Sequence, residues 1–451
     1  MKPARPGKSA AVLSSPAPRR PQVFALLLGV VFALALLKLG NPVIMESHLV
    51  VPGDAYEFVL DPWPAAWGYG LLLAVALLGG SLLRWRRDVP RLMVILPALW
   101  LGWQILATGQ SSAPTLSTLT LVHFGSCVVC FYLGLFVLGR QAEPNQFWIP
   151  LLIGFAFVML SGFLQHFGGL EATRQYFWNE IYPKSNNLPP DLVKRMSSTR
   201  VFATLFYPNT LAGVILLWLP IQLAVIWSWR TRFTPGARGL LMALVSGAGL
   251  ACLFWSGSKG GWLLMLVLGF GGILALPFSR RLKLALVGGV LVLGLAGFVI
   301  KYAGFFQKGA TSVVARFDYW EAAAKITAAH PLLGSGPGTF GQSYKAIKRP
   351  ESEMALITHN DYLEQACDSG IPGFLLFTSF VIGCLVLTWR RARGQQSGVR
   401  WAVWLGLLGW SLHATVEFPL YIPALAWPAF ALFGWLLAQP ANPIDTSPAV
   451  S

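Results

Sequence analysis

The sequence predicts an all-α polytopic integral membrane protein with about twelve transmembrane helices and one large helical loop on the outer side, between helices 9 and 10. Three observations carry this: composition, the length of the apolar runs, and the placement of charge. Hydrophobic residues make up 55% of the 451 and charged residues only 12%, with 19 Trp and 29 Phe. That balance excludes a water-soluble domain of this size. A helix needs roughly 20 mostly apolar residues to cross a bilayer. Twelve stretches approach this: 22–40, 65–83, 91–108, 118–138, 147–164, 206–228, 239–255, 261–277, 283–300, 372–389, 401–416 and 420–437. Basic residues gather at every second connection, for example Arg84, Arg86, Arg87 and Arg91, or Arg280, Arg281 and Lys283. With the N-terminal segment, Arg140, Arg230–Arg238 and Arg390–Arg400, these connections hold 20 of the 34 Lys and Arg, whereas loop 41–64 has none. The excess of cations on one side predicts that both termini are cytoplasmic.

The chain then divides into a cytoplasmic N-terminal tail (1–21), helices 1–9 (22–300) with outer loops 41–64 and 165–205, a helical loop subdomain (301–371), helices 10–12 (372–437) and a C-terminal tail (438–451). No small-x-small site follows the first apolar run, so it reads as an uncleaved helix. In the large loop, Arg316–Ile326 has helical character, with Glu321 and Lys325 paired at i,i+4. A second helix should follow Gly338, and a third should run from about Asn360 to Ser369, ended by Gly370 and Pro372. Pro208 and Asn209 are expected to interrupt helix 6 near the interface. There is no internal repeat of the kind that marks inverted-repeat transporters. The net charge of +16 is broken up by apolar spans and forms no continuous groove, which argues against nucleic-acid binding. Five cysteines are too few and scattered for a disulfide framework. Cys127 and Cys130 form a CxxC inside a span and read as packing residues. No metal site and no cofactor are expected.

The spans contain almost no ionisable residue. Glu417 is the one acid close to a span, with His413 one turn before it, and the lack of midplane carboxylates argues against an ion-coupled carrier. Topology instead puts Arg200, Lys259, Arg316, His359, His413 and Glu417 all on the outer face. Clustered Arg and Lys suit an oxygen-rich anion, above all a pyrophosphate: Arg offers a bidentate fork and Lys a point charge. Such cations would also stabilise a departing pyrophosphate. His359 is the natural general base for an incoming hydroxyl, because histidine is the side-chain type that exchanges a proton near neutral pH. Each residue has a plainer reading. Arg200 is then a snorkelling anchor, Lys259 a solvated turn residue, Arg316 a partner of Asp318 or Glu321 on its own helix, and His359 a helix cap. The run from His330 to Phe340 reads as a helix stop and glycine turn. It lacks the ending of a P-loop, though its N–H groups suit an anion nest. Asp54, Glu57 and Asp61 read as solvated, with a catalytic acid in the first outer loop as the lesser alternative.

These motifs together resemble the O-antigen ligase and polymerase superfamily of bacterial envelope glycosyltransferases. The resemblance rests on Arg200-Val-Phe-Ala-Thr-Leu-Phe-Tyr-Pro-Asn-Thr-Leu-Ala-Gly, Gly257-Ser-Lys-Gly-Gly-Trp, and Arg316 with Trp320. It continues through His330-Pro-Leu-Leu-Gly-Ser-Gly-Pro-Gly-Thr-Phe and His359-Asn-Asp-Tyr-Leu-Glu to Gly370-Ile-Pro-Gly373. It covers about residues 195–435; the first five helices match in hydropathy alone. It implies a metal-independent, inverting transferase in the bacterial inner membrane, working at the periplasmic face on a glycan carried by undecaprenyl pyrophosphate. Arg200 and Arg316 would bind the pyrophosphate and His359 would activate the acceptor hydroxyl, with Asn209, His330, Asn360, His413 and Glu417 as supporting residues. Lys259 stands where members commonly have Arg, which keeps the charge and loses the fork. The acceptor is left open between lipid A–core, a lipid-linked glycan and a protein hydroxyl. The short tail after 437 favours a ligase or polymerase of surface polysaccharide. Two other classes compete: a permease, for example of inorganic carbon, and an envelope scaffold without chemistry.

Overall fold

The computed structural model describes residues 19–438 apart from 50, 87, 142–143, 185–192, 194–195, 206, 277, 308–310 and 395–397. Among the described residues every regular element is helical. In chain order the main helices are α1 (Arg19–Lys38), α2 (Ala65–Gly80), α3 (Arg91–Thr108), α4 (Pro114–Phe136), α5 (Asn145–Leu164), α6 (Pro208–Ser228) and α7 (Pro235–Ser256). They continue with α8 (Lys259–Ala275), α9 (Arg280–Gln307), α10 (Thr311–Ala329), α11 (Phe340–Ile347), α12 (Asp361–Gly394), α13 (Gly398–His413) and α14 (Pro423–Leu437). Each of the twelve apolar stretches carries a helix, but length and composition qualify eight as membrane-crossing: α1, α3, α4, α5, α6, α7, α9 and α12. α2, α8 and α14 are apolar and shorter. The protein is thus a polytopic all-helical membrane protein, and the count of twelve crossings is a proposal. Residues 1–18, with Lys2, Arg5 and Lys8, the tail 439–451 and Arg87 lie outside the described residues.

The core forms around α14. A helix that is apolar on every side belongs in an interior, and all fifteen residues of α14 are buried. Its closest neighbour is α4, reached where both backbones lack a side chain: a Cβ on Gly134 would lie 1.9 Å from the Ala431 carbonyl oxygen, and one on Gly434 2.1 Å from that of Phe131. Small residues at a crossing let membrane helices pack backbone to backbone. α9 lies at the rim, with Val292, Leu293, Val299 and Ile300 turned outward. Cys127 and Cys130 are buried free thiols in α4.

Above this bundle, α10, α11 and the start of α12 share a second small core built from Tyr319, Ile326, Phe340, Tyr344 and Cys367. α10 includes the Glu321–Lys325 pair at 2.7 Å. α12 departs from helical geometry at Ser369 and Gly370, where Gly370 has φ +69, so the chain turns there before Pro372 and then descends. Pro208 and Asn209 do not interrupt a helix. Pro208 is the first residue of α6, and 200–205 and 207 are non-helical. The reason is that the first turn needs no donor from its N1 residue, so Pro starts a helix there without loss.

Candidate functional site

Arg200 lies in the non-helical approach to α6. Its Nε donates to the Ser256 carbonyl at 2.7 Å and its Nη2 to Asn209 Oδ1 at 2.7 Å. Gly257, in the left-handed conformation at the end of α7, keeps room for that guanidinium, because a Cβ there would lie 3.2 Å from Arg200 Nε. Asn209, in the first turn of α6, passes the link on by donating from Nδ2 to Glu417 Oε1 at 2.5 Å. Arg316 of α10 reaches the same carboxylate oxygen with Nη2, and donates from Nε to the Val416 carbonyl at 3.1 Å and from Nη1 to that of Ser312 at 3.0 Å. The other oxygen, Glu417 Oε2, meets His359 Nδ1 at 3.2 Å. Glu417 therefore joins both arginines and the histidine.

These side chains line a cleft of about 600 Å³ that also includes Lys259, His413, Tyr319 and Trp320. Its remaining wall is largely apolar, with Ile44, Met45, Phe298 and Leu356. His359 is about one-third exposed and sits between Tyr319 and Phe418, whose ring centroids lie 6.0 and 4.9 Å from its own. It has φ +53, a left-handed backbone unusual for a residue with a side chain and a small store of strain. Lys259 opens α8 behind the N-cap Ser258 and places Nζ 5.2 Å from the Tyr302 ring.

Electrostatics follow from this arrangement. Burial would push the Glu417 carboxyl up. The hydrogen bond and charge of His359, with the charges of Arg316 and His413, outweigh it and hold the group down to about 2. Burial lowers the Arg200 guanidinium, and Glu417 opposes that shift. The carboxylate is thus ionised at neutral pH and accepts from every neighbour.

The structure sorts the other expected residues. Arg316 does not pair along its own helix: Glu321 takes Lys325 and Arg349 instead. His359 is not a helix cap. Asn360 caps α12, its Oδ1 accepting from the N–H groups of Tyr362 and Leu363 at 3.1 and 3.2 Å, and so has a positioning use away from the cleft. His330 ends α10 exposed and does not line the cleft. His413 is buried behind Glu417 and borders the cleft, with neither ring nitrogen hydrogen-bonded among the described residues. Asp54, Glu57 and Asp61 do not line the cleft either. Asp54 caps a short helix in its own loop. The glycine turn offers no open anion nest. Ser335 N–H donates to the Cys367 carbonyl, Gly336 N–H to that of Asp368, and Gly338 N–H to the Asp368 carboxylate at 2.8 Å.

Sequence reasoning missed a second set of residues. Asp361, Glu364 and Asp368 are fully buried, so Glu417 is not the lone acid of the core. Two of them fix backbone that carries the site and the third holds a side chain. Glu364 accepts from Thr358 N–H at 2.6 Å, Asp361 from Leu420 N–H at 2.8 Å, and Asp368 from the Tyr421 hydroxyl at 2.5 Å. His123 of α4 is buried too, its Nε2 2.7 Å from the Leu420 carbonyl. The signal was present in the i, i+3, i+7 spacing of the three acids, which puts them on one face of a helix. Nothing in the sequence says that this face points inward. Among the described residues no group of three or more His, Cys, Asp or Glu is arranged to hold a metal ion.

Residues 244–378 match the family model described as O-antigen ligase. The matched segment includes Lys259, Arg316, His330, His359 and Asn360, and leaves Arg200, Asn209, His413 and Glu417 outside it. No curated protein matches the chain.

Proposed function

Because the chain carries an O-antigen ligase domain over residues 244–378, we propose that it is a membrane glycosyltransferase that moves a glycan from undecaprenyl pyrophosphate to an acceptor hydroxyl. One observation supports this most: the base, the two guanidiniums and their shared carboxylate form one connected set around a single cleft. The acceptor hydroxyl gives its proton to His359, its oxygen attacks the anomeric carbon, and the bond from that carbon to the pyrophosphate oxygen breaks. The electron pair leaves with the pyrophosphate, and Arg200, Arg316 and Lys259 supply the countercharge. Attack opposite the leaving group inverts the anomeric centre. The apolar wall of the cleft suits the first isoprene units of the carrier lipid. The acceptor hydroxyl belongs to lipid A–core or to another lipid-linked glycan, as in a ligase or polymerase of surface polysaccharide. The family match gives the permease alternative no support.

In this reading the protein sits in the bacterial inner membrane with twelve crossings, both termini cytoplasmic and the cleft facing the periplasm. The support is the excess of basic residues in alternate connections.

The test is in-vitro transfer by the purified protein in detergent, with a lipid-linked glycan donor from its host and host envelope as acceptor. Release of undecaprenyl pyrophosphate, lost in His359→Ala, is the expected result. No release from intact donor by folded protein overturns the transferase reading; wild-type rates in His359→Ala overturn the base assignment alone.

A further inference from the structure

Among the described residues Glu417 touches both His359 and the Arg316 guanidinium, and several hydrogen bonds hold it there. It lies between α13 and a short turn at Pro419–Tyr421. That connection is tied to the start of α12, immediately after His359. Asp361 N–H donates to the Ala414 carbonyl at 2.8 Å, and the Asp361 carboxylate takes Leu420 N–H at 2.8 Å. Tyr362 adds a hydroxyl bond to the Ser411 carbonyl at 3.1 Å. Two chain segments some 58 residues apart are thereby fixed side by side, and the contact this produces at the cleft is His359 Nδ1 to Glu417 Oε2.

We propose that Glu417 is the positioning residue for His359: it sets the imidazole tautomer, and it carries the charge that the ring acquires during transfer. This rests on the reading of His359 as the base. An ionised carboxylate only accepts hydrogen bonds, so the nitrogen facing it must carry the ring proton. Nδ1 is then the donor, and the lone pair of the neutral ring is on Nε2. When Nε2 takes the acceptor's proton, the new cation lies against a carboxylate that the Arg316 guanidinium and the Asn209 amide already hold in place. Arg316 and Asn209 touch the same residue as the base does. Tyr319 stacks on the ring and Phe418 meets it in a T-shaped contact, which leaves the carboxylate to choose its tautomer.

The experiment is a double-mutant cycle on full-length protein in detergent, using Glu417→Gln, His359→Ala and the pair, with undecaprenyl-pyrophosphate-linked glycan as donor. A Gln amide can donate to Nδ1 and hold the wrong tautomer. Glu417→Gln is therefore expected to lower kcat by about 10²-fold, with donor KM no more than doubled, because Arg316 and Asn209 lose an internal partner and no substrate contact. The pair should be no slower than His359→Ala alone, since a residue that acts through the base has nothing to add once the base is gone. Losses that multiply in the pair, a loss carried by KM, or a wild-type rate in Glu417→Gln each overturn the proposal. If His359→Ala itself is active, the base reading fails instead, and the two failures are distinct. Folding is checked by Tm and gel filtration. Should Glu417→Gln not fold, Glu417→Asp keeps the charge, shortens the arm and enters the same cycle; if neither folds, Glu417 is a stability residue and the proposal falls.

Discussion

Arginines occur at both ends of the bundle, and they are used in opposite ways. At the end predicted to be cytoplasmic, Arg238, Arg400 and Arg86 each have a partner close by. Arg238 donates to the Trp227 carbonyl at 2.8 Å and lies 4.8 Å from that residue's ring. Arg400 donates to the Ala438 carbonyl at 3.0 Å, over Trp435. Arg86 pairs with Asp88. These are anchors: the stem lies along apolar surface and the head caps a helix end or an aromatic ring. At the other end, Arg200 and Arg316 come from different segments and converge, directly or through Asn209, on one carboxylate beside a histidine. An anchor satisfies itself locally. A site concentrates like charges that would otherwise repel, and needs a buried counter-ion to do so. The snorkelling reading open for Arg200 on sequence fits the first end and not the second.

The largest effect should come from the base. His359→Ala is expected to lose about 10³-fold in transfer rate, with the fold retained and Tm lowered by the loss of its hydrogen bond to Glu417. A quantitative release assay beside a thermal-shift measurement checks both.

Arg→Lys substitutions at the two ends test the contrast directly. Arg316 uses Nε, Nη1 and Nη2 on three separate acceptors, which an ammonium cannot span at once. Arg316→Lys should cost about 10²-fold in kcat. Arg400→Lys leaves the cleft untouched and should stay within about twofold in the same assay. Equal losses at both ends would remove the distinction between anchor and site.

Acid stability probes the counter-ion alone. Glu417 is held down to about 2 when folded, against an ordinary 4.5, so the folded chain binds fewer protons there than the unfolded chain. Its contribution is fully present above about pH 4.5 and is lost as pH falls through about 2; a shift of that size corresponds to about 3 kcal/mol. Wild-type Tm should therefore drop between these values, and Glu417→Gln should flatten that part of the curve.

The smallest effect is expected at His330, which sequence grouped with the site and the fold leaves exposed. His330→Ala should change kcat by less than about twofold, read in the same release assay. A large loss there would mean that the cleft extends past the end of α10.

How much of this could be read from the chain differs residue by residue. The apolar runs dictate helices, because no other structure hides backbone polar groups in lipid unless a sheet closes into a barrel. The stop at Gly370, the start of the helix after Gly338 and the Glu321–Lys325 pair are local, and local sequence predicted them. Arg200, Arg316 and His359 could be picked out by residue type, since Arg and His beside apolar spans need a reason, and all three line one cleft. The capping role considered as the plainer reading of His359 belongs to its neighbour Asn360. What decided the site was long-range. Glu417 and Asn209 are 208 positions apart in sequence, and Asp361 reads like any solvated acid until Leu420 is seen to donate to it. Hydropathy and helix periodicity act over a few turns of chain, so composition and spacing determined the membrane helices and the residue types at their ends. Which of those ends meet around one carboxylate depends on how the helices pack about α14, and only the tertiary structure sets that.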